Sequence, residues 1–222
     1  MDNRAPTANP ADRPLAPLGA LRPAEVAELA QALIQTRQST LPKRLAGPGP
    51  DAAQTQTILG AAASAPDHHE LLPWRFVVVP EGARAALADA FAAALLQRDA
   101  AATPQQQAQA REKAFRAPLL LLAVVRLRDD DAEIEPHERI VSAGCALQNV
   151  LLMAHALGFG GALTSGKALA AAPLRRLFDL HDDEQALCFV NIGTVAKPKR
   201  ARARPQAAQY VSVLQPWLLH KT

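Results

Sequence analysis

The stretch that decides the fold is "PHERIVSAGCALQNVLLMAHALGFGG", which runs from Pro136 to Gly161. Its apolar residues recur at helical spacing, which predicts a helix from about His137 to Leu157. Gly158 follows the last apolar residue, at a position where glycine often ends a helix. Because this helix is apolar on almost every side, it must be surrounded, either by the core of its own chain or by a second subunit.

Strand and helix signals alternate on both sides of this helix. Pro23 begins a helical pattern that ends near 37–39, and Asp51 can cap a second helix that Pro66 ends. Apolar runs predict strands at 74–80, 117–131, 186–195 and 209–214, and Ala-rich or amphipathic runs predict helices at 82–100, 104–115 and 171–180. The continuous apolar run at 117–131 is typical of a strand covered on both faces. This order predicts an α+β or mixed α/β fold, one layer of sheet with helices packed on it.

The composition fits one main domain. The chain has 222 residues, 49% of them hydrophobic, which is enough for one sizeable core. Residues 1–22 are rich in Pro, Ala and Arg, so we expect a disordered arm there and a single domain at 23–222. No apolar run reaches the length of a membrane span. Cys145 and Cys188 lie in apolar surroundings, which favours a reducing compartment, with the cytoplasm as the expected location.

The excess positive charge lies near the C-terminal end. The formal net charge is +3, and the run "KPKRARARP" spans Lys197–Pro205. Such a run is either a solvated tail or a contact for an anion such as nucleic acid. The sequence has no aromatic platform or nucleic-acid motif beside the run, so nucleic-acid binding is the least favoured interpretation.

The cluster Asp67, His68, His69 and Glu70 contains the side-chain types of a metal site. Adjacent side chains in an extended or turning segment point in different directions, and no second set of ligands stands out at a suitable spacing. We therefore expect no metal site. The alternative is that Asp67 caps a turn and the histidines face solvent.

Two other patterns suit a flat, phosphorylated ligand. The glycines of 157–166 follow a helix instead of a strand, which is the wrong order for a dinucleotide-binding loop. We interpret this segment as a flexible loop that brings the hydroxyls of Thr164 and Ser165 close to a ligand. Arg37 and Ser39, at the end of the first helix, combine a guanidinium fork with a hydroxyl, a pair that suits phosphate. No serine has the GxSxG context of an activated nucleophile.

Taken in order, four segments resemble the FMN-dependent nitroreductase family. They are "TRQS", "AAASAPDHHELLPWRFVVV", "SAGCALQNVLLMAHALGFGGALTSG" and "VNIGTVAKPK". The resemblance runs from about Arg37 to Val213 and is strongest to the small, single-domain YdjA-like subgroup. It implies a nitroreductase-like α+β fold with a central mixed or antiparallel sheet flanked by helices. It also implies an intertwined homodimer with FMN bound at the interface.

The resemblance places the cofactor contacts on both subunits. One subunit would contribute Arg37, Gln38 and Ser39 at the FMN phosphate and flavin edge, and Leu163, Thr164 and Ser165 along the flavin. The other subunit would contribute Ser64 and His68, and Gly193, Thr194 and Lys197 would lie near the flavin or its phosphate.

The implied activity is hydride transfer from NAD(P)H through flavin N5 to a nitroaromatic, quinone or similar acceptor, without a catalytic acid or base from the protein. An alternative is a flavin- or nucleotide-binding protein of the same fold without nitroreductase turnover. Gln38, Ser64, Leu72 and Leu163 stand where many family members carry Arg, Arg, Gln and Trp. These departures predict weaker retention of FMN, unless other basic side chains compensate.

Overall fold

The computed structural model describes residues 21–128, 133–198 and 203–214. The proposed N-terminal arm lies outside these residues except for Leu21 and Arg22, and so do positions 199–202 of the basic run. The described α-helices are α1 (Pro23–Thr36), α2 (Ala52–Gly60), α3 (Arg84–Arg98), α4 (Pro104–Glu112), α5 (Pro136–Ala156) and α6 (Ala172–Leu177). The described strands are β1 (Leu45–Ala46), β2 (Trp74–Val78), β3 (Leu119–Arg126), β4 (Gly160–Thr164) and β5 (Glu184–Val195).

The five strands form one antiparallel sheet in which β5 is central. β5 pairs with β3, β4 and β1, and β3 pairs in turn with β2. Ala162 of β4 lies opposite Asn191 of β5. The α+β prediction is confirmed, and the sheet is antiparallel.

Helices cover both faces of the sheet. On the first face, α5 and α2 pack against residues such as Leu121 and Val125. On the second face, α3 and α6 pack against Leu120, Leu122 and Val124. Every residue of β3 except Arg126 is buried, because successive side chains alternate between two covered faces. This confirms the interpretation of the continuous apolar run.

The helix ends follow from local chemistry. The Asp51 carboxylate accepts from the main-chain N–H of Gln54 at 2.8 Å and caps α2, as its sequence position predicted. At the end of α5, Gly158 adopts φ +85°, a conformation that glycine takes without steric cost. The chain then turns directly into β4.

A buried arginine holds the start of α3 in place. Arg84 is 5% exposed and donates to the carbonyl oxygens of Val79, Ala114 and Pro118 at 2.9, 2.7 and 3.1 Å. Burial lowers the pKa of this guanidinium. Its donors satisfy carbonyls from three segments, so α3 is fixed against the sheet.

Two sequence predictions were wrong. The segment at 157–166 includes the strand β4, because its glycines serve close packing: a Cβ on Gly160 would lie 2.5 Å from Cγ2 of Val195. The run at 209–214 forms no strand among the described residues, where Val213 and Leu214 are each 77% exposed and pair with no strand. No helix in the described part of the chain is both long and apolar enough to cross a membrane.

Candidate functional site

The first group of predicted contacts lies along the free edge of β4. The chain leaves α1 at Thr36, and Thr40 donates its main-chain N–H to the carbonyl of Gly161 at 2.9 Å. Ser39 forms an isolated parallel bridge with Gly161. These contacts place Arg37, Gln38 and Ser39 beside β4, where Leu163 and Thr164 also lie.

Two guanidinium groups lie close together at this edge. Arg204 donates to the main-chain carbonyls of Arg37 at 2.5 Å and of Gln35 at 3.2 Å. Burial, and then the positive charge of Arg204, lower the pKa of Arg37. Neither arginine forms an ion pair with a carboxylate in the ranges 21–128, 133–198 and 203–214. Two neighbouring guanidinium groups without a carboxylate partner in the described ranges suit a multiply charged anion such as phosphate.

The side chains of β4 point to opposite faces of the sheet. Leu163 is 43% exposed and lies on the face of α5. Thr164 points to the face of α3, where its hydroxyl accepts from the Asn191 side-chain amide at 3.0 Å. Ser165 follows the strand and is exposed. The side chains of Leu163 and Thr164 therefore cannot both contact the same face of a flat ligand.

The residues near the end of β5 complete this first group. Gly193 pairs with Gly160, and a Cβ on Gly193 would lie 2.6 Å from Cδ of Pro118. The Thr194 hydroxyl donates to the carbonyl of Pro48 at 2.6 Å, so it already has an acceptor. Lys197 is exposed beyond the strand.

The second group, Ser64 and His68, lies at the other end of α5. Ser64 is exposed at the end of a short 3-10 turn, Ala61–Ser64. His68 Nδ1 lies 3.1 Å from Oε2 of Glu138, in the first turn of α5. The hydrogen bond with His68 lowers the pKa of the Glu138 carboxyl.

The loop that carries His68 has an unusual backbone. His69, Glu70 and Leu72 have φ of 58°, 55° and 47°, in the left-handed region that disfavours residues with a side chain. The Asp67 carboxylate accepts from the main-chain N–H of Leu72 at 2.6 Å and stabilises this turn. Asp67 is thus part of a turn, and His69 and Glu70 are exposed.

The two groups are separated by most of the length of α5. His68 contacts Glu138 near the start of this helix, whereas Thr36 Oγ1 lies 2.8 Å from Nε2 of His155 near its end. At a rise of about 1.5 Å per residue, Glu138 and His155 are about 25 Å apart along the helix axis. That distance exceeds the length of an FMN molecule. One chain therefore cannot bring both groups to the same cofactor.

Between the two groups, one face of α5 is left uncovered by the described residues. Val141 is 64% exposed and Ile140 is 40% exposed. Nothing lies within 4 Å of the position that a Cβ on Gly144 would take. An apolar helix face with a small residue at its centre suits close packing against another helix.

The sequence signature of the Nitroreductase family spans residues 34–194. The chain belongs to the nitroreductase family. It is 35% identical to the Escherichia coli K12 protein named "Putative NAD(P)H nitroreductase YdjA" over 153 residues, which cover 68% of this chain and 81% of that protein.

Solved structures establish the nitroreductase-like fold. A nitroreductase-like family protein from Bacillus cereus has a TM-score of 0.70 at 18% identity, covering 84% of this chain and 96% of that one. A nitroreductase from Bacteroides fragilis with bound FMN has a TM-score of 0.62 at 16% identity, covering 83% of this chain and 97% of that one.

In this member of the nitroreductase family, three further residues approach the predicted contacts. Arg204 approaches Arg37 and Glu138 approaches His68, each across a long sequence separation, and Asn191 fixes the Thr164 hydroxyl. Of these three residues, only Arg204 had a signal in the sequence, which was the basic run around it. In the described part of the chain, no three His, Cys, Asp or Glu side chains are grouped so that they could hold a metal ion.

Proposed function

We propose that this chain is an FMN-dependent oxidoreductase that passes hydride from NAD(P)H to a nitroaromatic, quinone or similar acceptor. We further propose that it works as a homodimer, in the cytoplasm, with two FMN sites at the subunit interface. The observation that carries the proposal is the separation of the predicted cofactor contacts between the two ends of α5. Family membership and the FMN bound to the Bacteroides fragilis nitroreductase support it.

A second copy of the chain resolves this separation. In a two-fold symmetric dimer with antiparallel α5 helices, the start of one α5 lies beside the end of the other. The His68 loop of one protomer would then meet Arg37 and β4 of its partner. The exposed face around Val141 and Gly144 lies between these ends and offers the helix contact that such a dimer needs.

The residues of the first group fit the chemical parts of FMN. Arg37 and Arg204 offer two positive charges without a carboxylate partner among the described residues, as a phosphate requires. Beyond the Ser39 bridge, the edge of β4 carries main-chain donors and acceptors that have no strand partner in the described chain. Such an edge can bond to the rim of a flat, polar ring.

When bound, FMN would supply the redox chemistry by accepting hydride at N5 and passing electrons to the acceptor. The chain's own work is to bind and orient. Arg37, Arg204 and Ser39 would hold the phosphate, Leu163 would pack on the ring, and His68 of the second protomer would donate a hydrogen bond to the cofactor. Gln38, Gly193, Thr194 and Lys197 would border the same site.

Cysteine chemistry takes no part in this proposal. Cys145 and Cys188 are both free, and burial raises the pKa of the Cys188 thiol to about 11. Cys188 is thus a neutral thiol in the core at physiological pH.

The test is an FMN titration followed by anaerobic turnover. The purified protein is expected to be yellow, or to quench flavin fluorescence as FMN binds with one molecule per protomer. It should then oxidise NADPH or NADH faster when a nitroaromatic or quinone acceptor is added. Failure to bind FMN would overturn the proposal, whereas FMN binding without any acceptor-dependent turnover would favour a flavin-binding role of the same fold.

A further inference from the structure

A cavity on the α3 face of the sheet shares Thr164 and Ser165 with the contacts assigned to FMN, and its other lining residues are not among those contacts. It has a volume of about 300 Å³ and opens between α3, the end of β4 and the short 3-10 turn Lys167–Ala170. Thr164 and Ser165 border it, because the alternation of β4 turns Thr164 away from the α5 face. We call it the α3-face cavity.

The floor of the α3-face cavity is apolar and aromatic. Phe91 of α3 and Phe189 of β5 line it together with Leu120 and Leu169. The rings of Phe91 and Phe189 meet edge to face, with their centroids 5.4 Å apart and their planes at 64°. A flat apolar group could extend this arrangement by packing on the exposed part of Phe91.

The rim of the cavity is positively charged. Arg98, Lys113, Arg116 and Lys167 line it, and no carboxylate does. Arg116 already pairs with Glu112 at 2.7 Å. The other three cations form no ion pair with any residue in the described ranges. A rim with an excess of positive charge raises the local concentration of anions.

Two carboxylates beside the cavity neutralise only part of this rim, because they stand against the four cations Arg98, Lys113, Arg116 and Lys167. Glu112 and Asp99 border an adjoining cavity that shares Arg98, Lys113 and Arg116 with the first. The Glu112 carboxylate is bound by Arg116, and Asp99 accepts from the main-chain N–H of Ala101 at 3.1 Å. The rim therefore keeps a net positive charge.

The cavity wall also supplies a neutral donor. The Thr164 hydroxyl oxygen accepts a hydrogen bond from the Asn191 amide, so its own hydrogen is available for donation. Asn191 is 3% exposed, which fixes the position of this hydroxyl. The cavity therefore combines an apolar floor, a cationic rim and an oriented donor, the composition of a specific small-molecule site.

From these features we infer that the α3-face cavity binds a small aromatic molecule that carries one anionic group. The ring lies on the apolar floor at Phe91, and the anionic group lies at the rim between Arg98, Lys113 and Lys167. Binding there requires neither FMN nor turnover, so its test is independent of the proposed oxidoreductase activity.

The test uses four probes: 2-naphthoate, 2-naphthyl phosphate, the neutral 2-naphthamide and inorganic phosphate. Binding of the three naphthalene probes is followed by fluorescence anisotropy on the purified protein at low salt, and binding of phosphate by calorimetry. One or both naphthyl anions should bind, and should bind more weakly as salt is added. The better of the two identifies a carboxylate or a phosphate as the preferred group.

Two results among these probes would overturn the inference. If 2-naphthamide binds as tightly as the anions, the positive rim contributes nothing to binding. If inorganic phosphate binds as tightly as 2-naphthyl phosphate, the apolar floor makes none.

The variants locate the site. The double substitution Arg98→Gln and Lys113→Gln should weaken binding of the anionic probe about tenfold or more, because each removes a charged hydrogen-bond donor. Arg111→Gln is the matched control, since Arg111 lies on α4, pairs with Asp89 and does not line the cavity. Equal affinity in the double variant and the control would contradict this location. So would the loss of naphthoate binding when FMN saturates the protein, because the cavity would then be part of the cofactor site.

Discussion

Arg204 donates from its guanidinium to the main-chain carbonyl of Arg37, 2.5 Å away. The contact joins the C-terminal segment to the end of α1 and brings the charge of Arg204 near enough to act on that of Arg37. Two such charges repel each other in the free protein and would be stabilised by a shared anion. Burial lowers the pKa of Arg37, and the positive charge of Arg204 lowers it further.

The first prediction concerns the affinity for FMN. Arg37→Ala and Arg204→Ala should each weaken FMN binding by about 1.5–3 kcal/mol, the range for hydrogen bonds that involve a charged group. A fluorescence-quenching titration measures this change. Arg37→Lys should lose less FMN affinity than Arg37→Ala, because lysine keeps the positive charge and lacks only the guanidinium fork.

Arg111→Ala is the control for this prediction, because Arg111 pairs with Asp89 of α3 and is not among the predicted cofactor contacts. It should bind FMN as the unmodified protein does. If Arg204→Ala also leaves the FMN affinity unchanged, then Arg204 stabilises only the C-terminal segment and has no role at the phosphate.

The second prediction concerns assembly. Val141→Arg places a charge on the exposed apolar face of α5, where we propose that a second protomer packs. Burying an unpaired charge in an interface is strongly unfavourable, so the variant should be a monomer with weakened FMN binding. Light scattering after size-exclusion chromatography gives the mass. The matched control, Ala86→Arg on the exposed side of α3, should remain a dimer. A dimeric Val141→Arg protein would place the interface elsewhere.

The third prediction distinguishes a shared site from two sites within single chains. Arg37→Ala and His68→Ala homodimers should both bind FMN poorly, because every site carries one substitution. In a heterodimer of the two variants, one site carries both substitutions and the other carries neither. Co-expression of the two chains with different tags should therefore restore tight binding at one site per heterodimer.

The control for this experiment is a dimer of two differently tagged Arg37→Ala chains, which should not recover tight FMN binding. If the mixed dimer does not recover tight FMN binding either, the residues that contact one cofactor come from the same chain. The proposal of a site shared between two subunits is then wrong.

Much of the fold could be predicted because its signals are local. The Asp51 cap depends on neighbours three residues away, and the apolar continuity of β3 and α5 reports burial directly. β4 was missed because Gly160 and Gly161 are common in loops, whereas here they allow close contact with Val195 and Leu151. Only the neighbouring strand reveals that requirement.

The site could be predicted less completely, because its contacts are distant in sequence. Arg204 and Arg37 are separated by 167 positions, and His68 and Glu138 by 70. The resemblance selected candidate residues at both ends of α5. Their separation within one chain depends on where Thr36 and His68 contact this helix. The periodicity of the sequence does not predict those contacts.

The fourth prediction concerns stability in acid. The Glu184 carboxylate accepts from Arg75 at 2.6 and 2.8 Å, and its side chain is 5% exposed. The hydrogen bond with Arg75 lowers the pKa of Glu184 in the folded protein. A lowered pKa means that this pair stabilises the fold above the unfolded-state pKa of about 4.3, and that the stabilisation is lost as the pH falls through the folded-state pKa.

Glu184→Gln should therefore reduce the free energy of unfolding by about 1–3 kcal/mol at pH 7, since it leaves Arg75 without its ionic partner. The difference between the two proteins should shrink steadily as the pH is lowered below about 4. Urea denaturation at a series of pH values measures both quantities. Glu28→Gln, at an exposed position of α1, should unfold like the unmodified protein at every pH. A constant difference between Glu184→Gln and the unmodified protein from pH 7 to 3 would mean that Glu184 stabilises the sheet by packing, without a contribution from its charge.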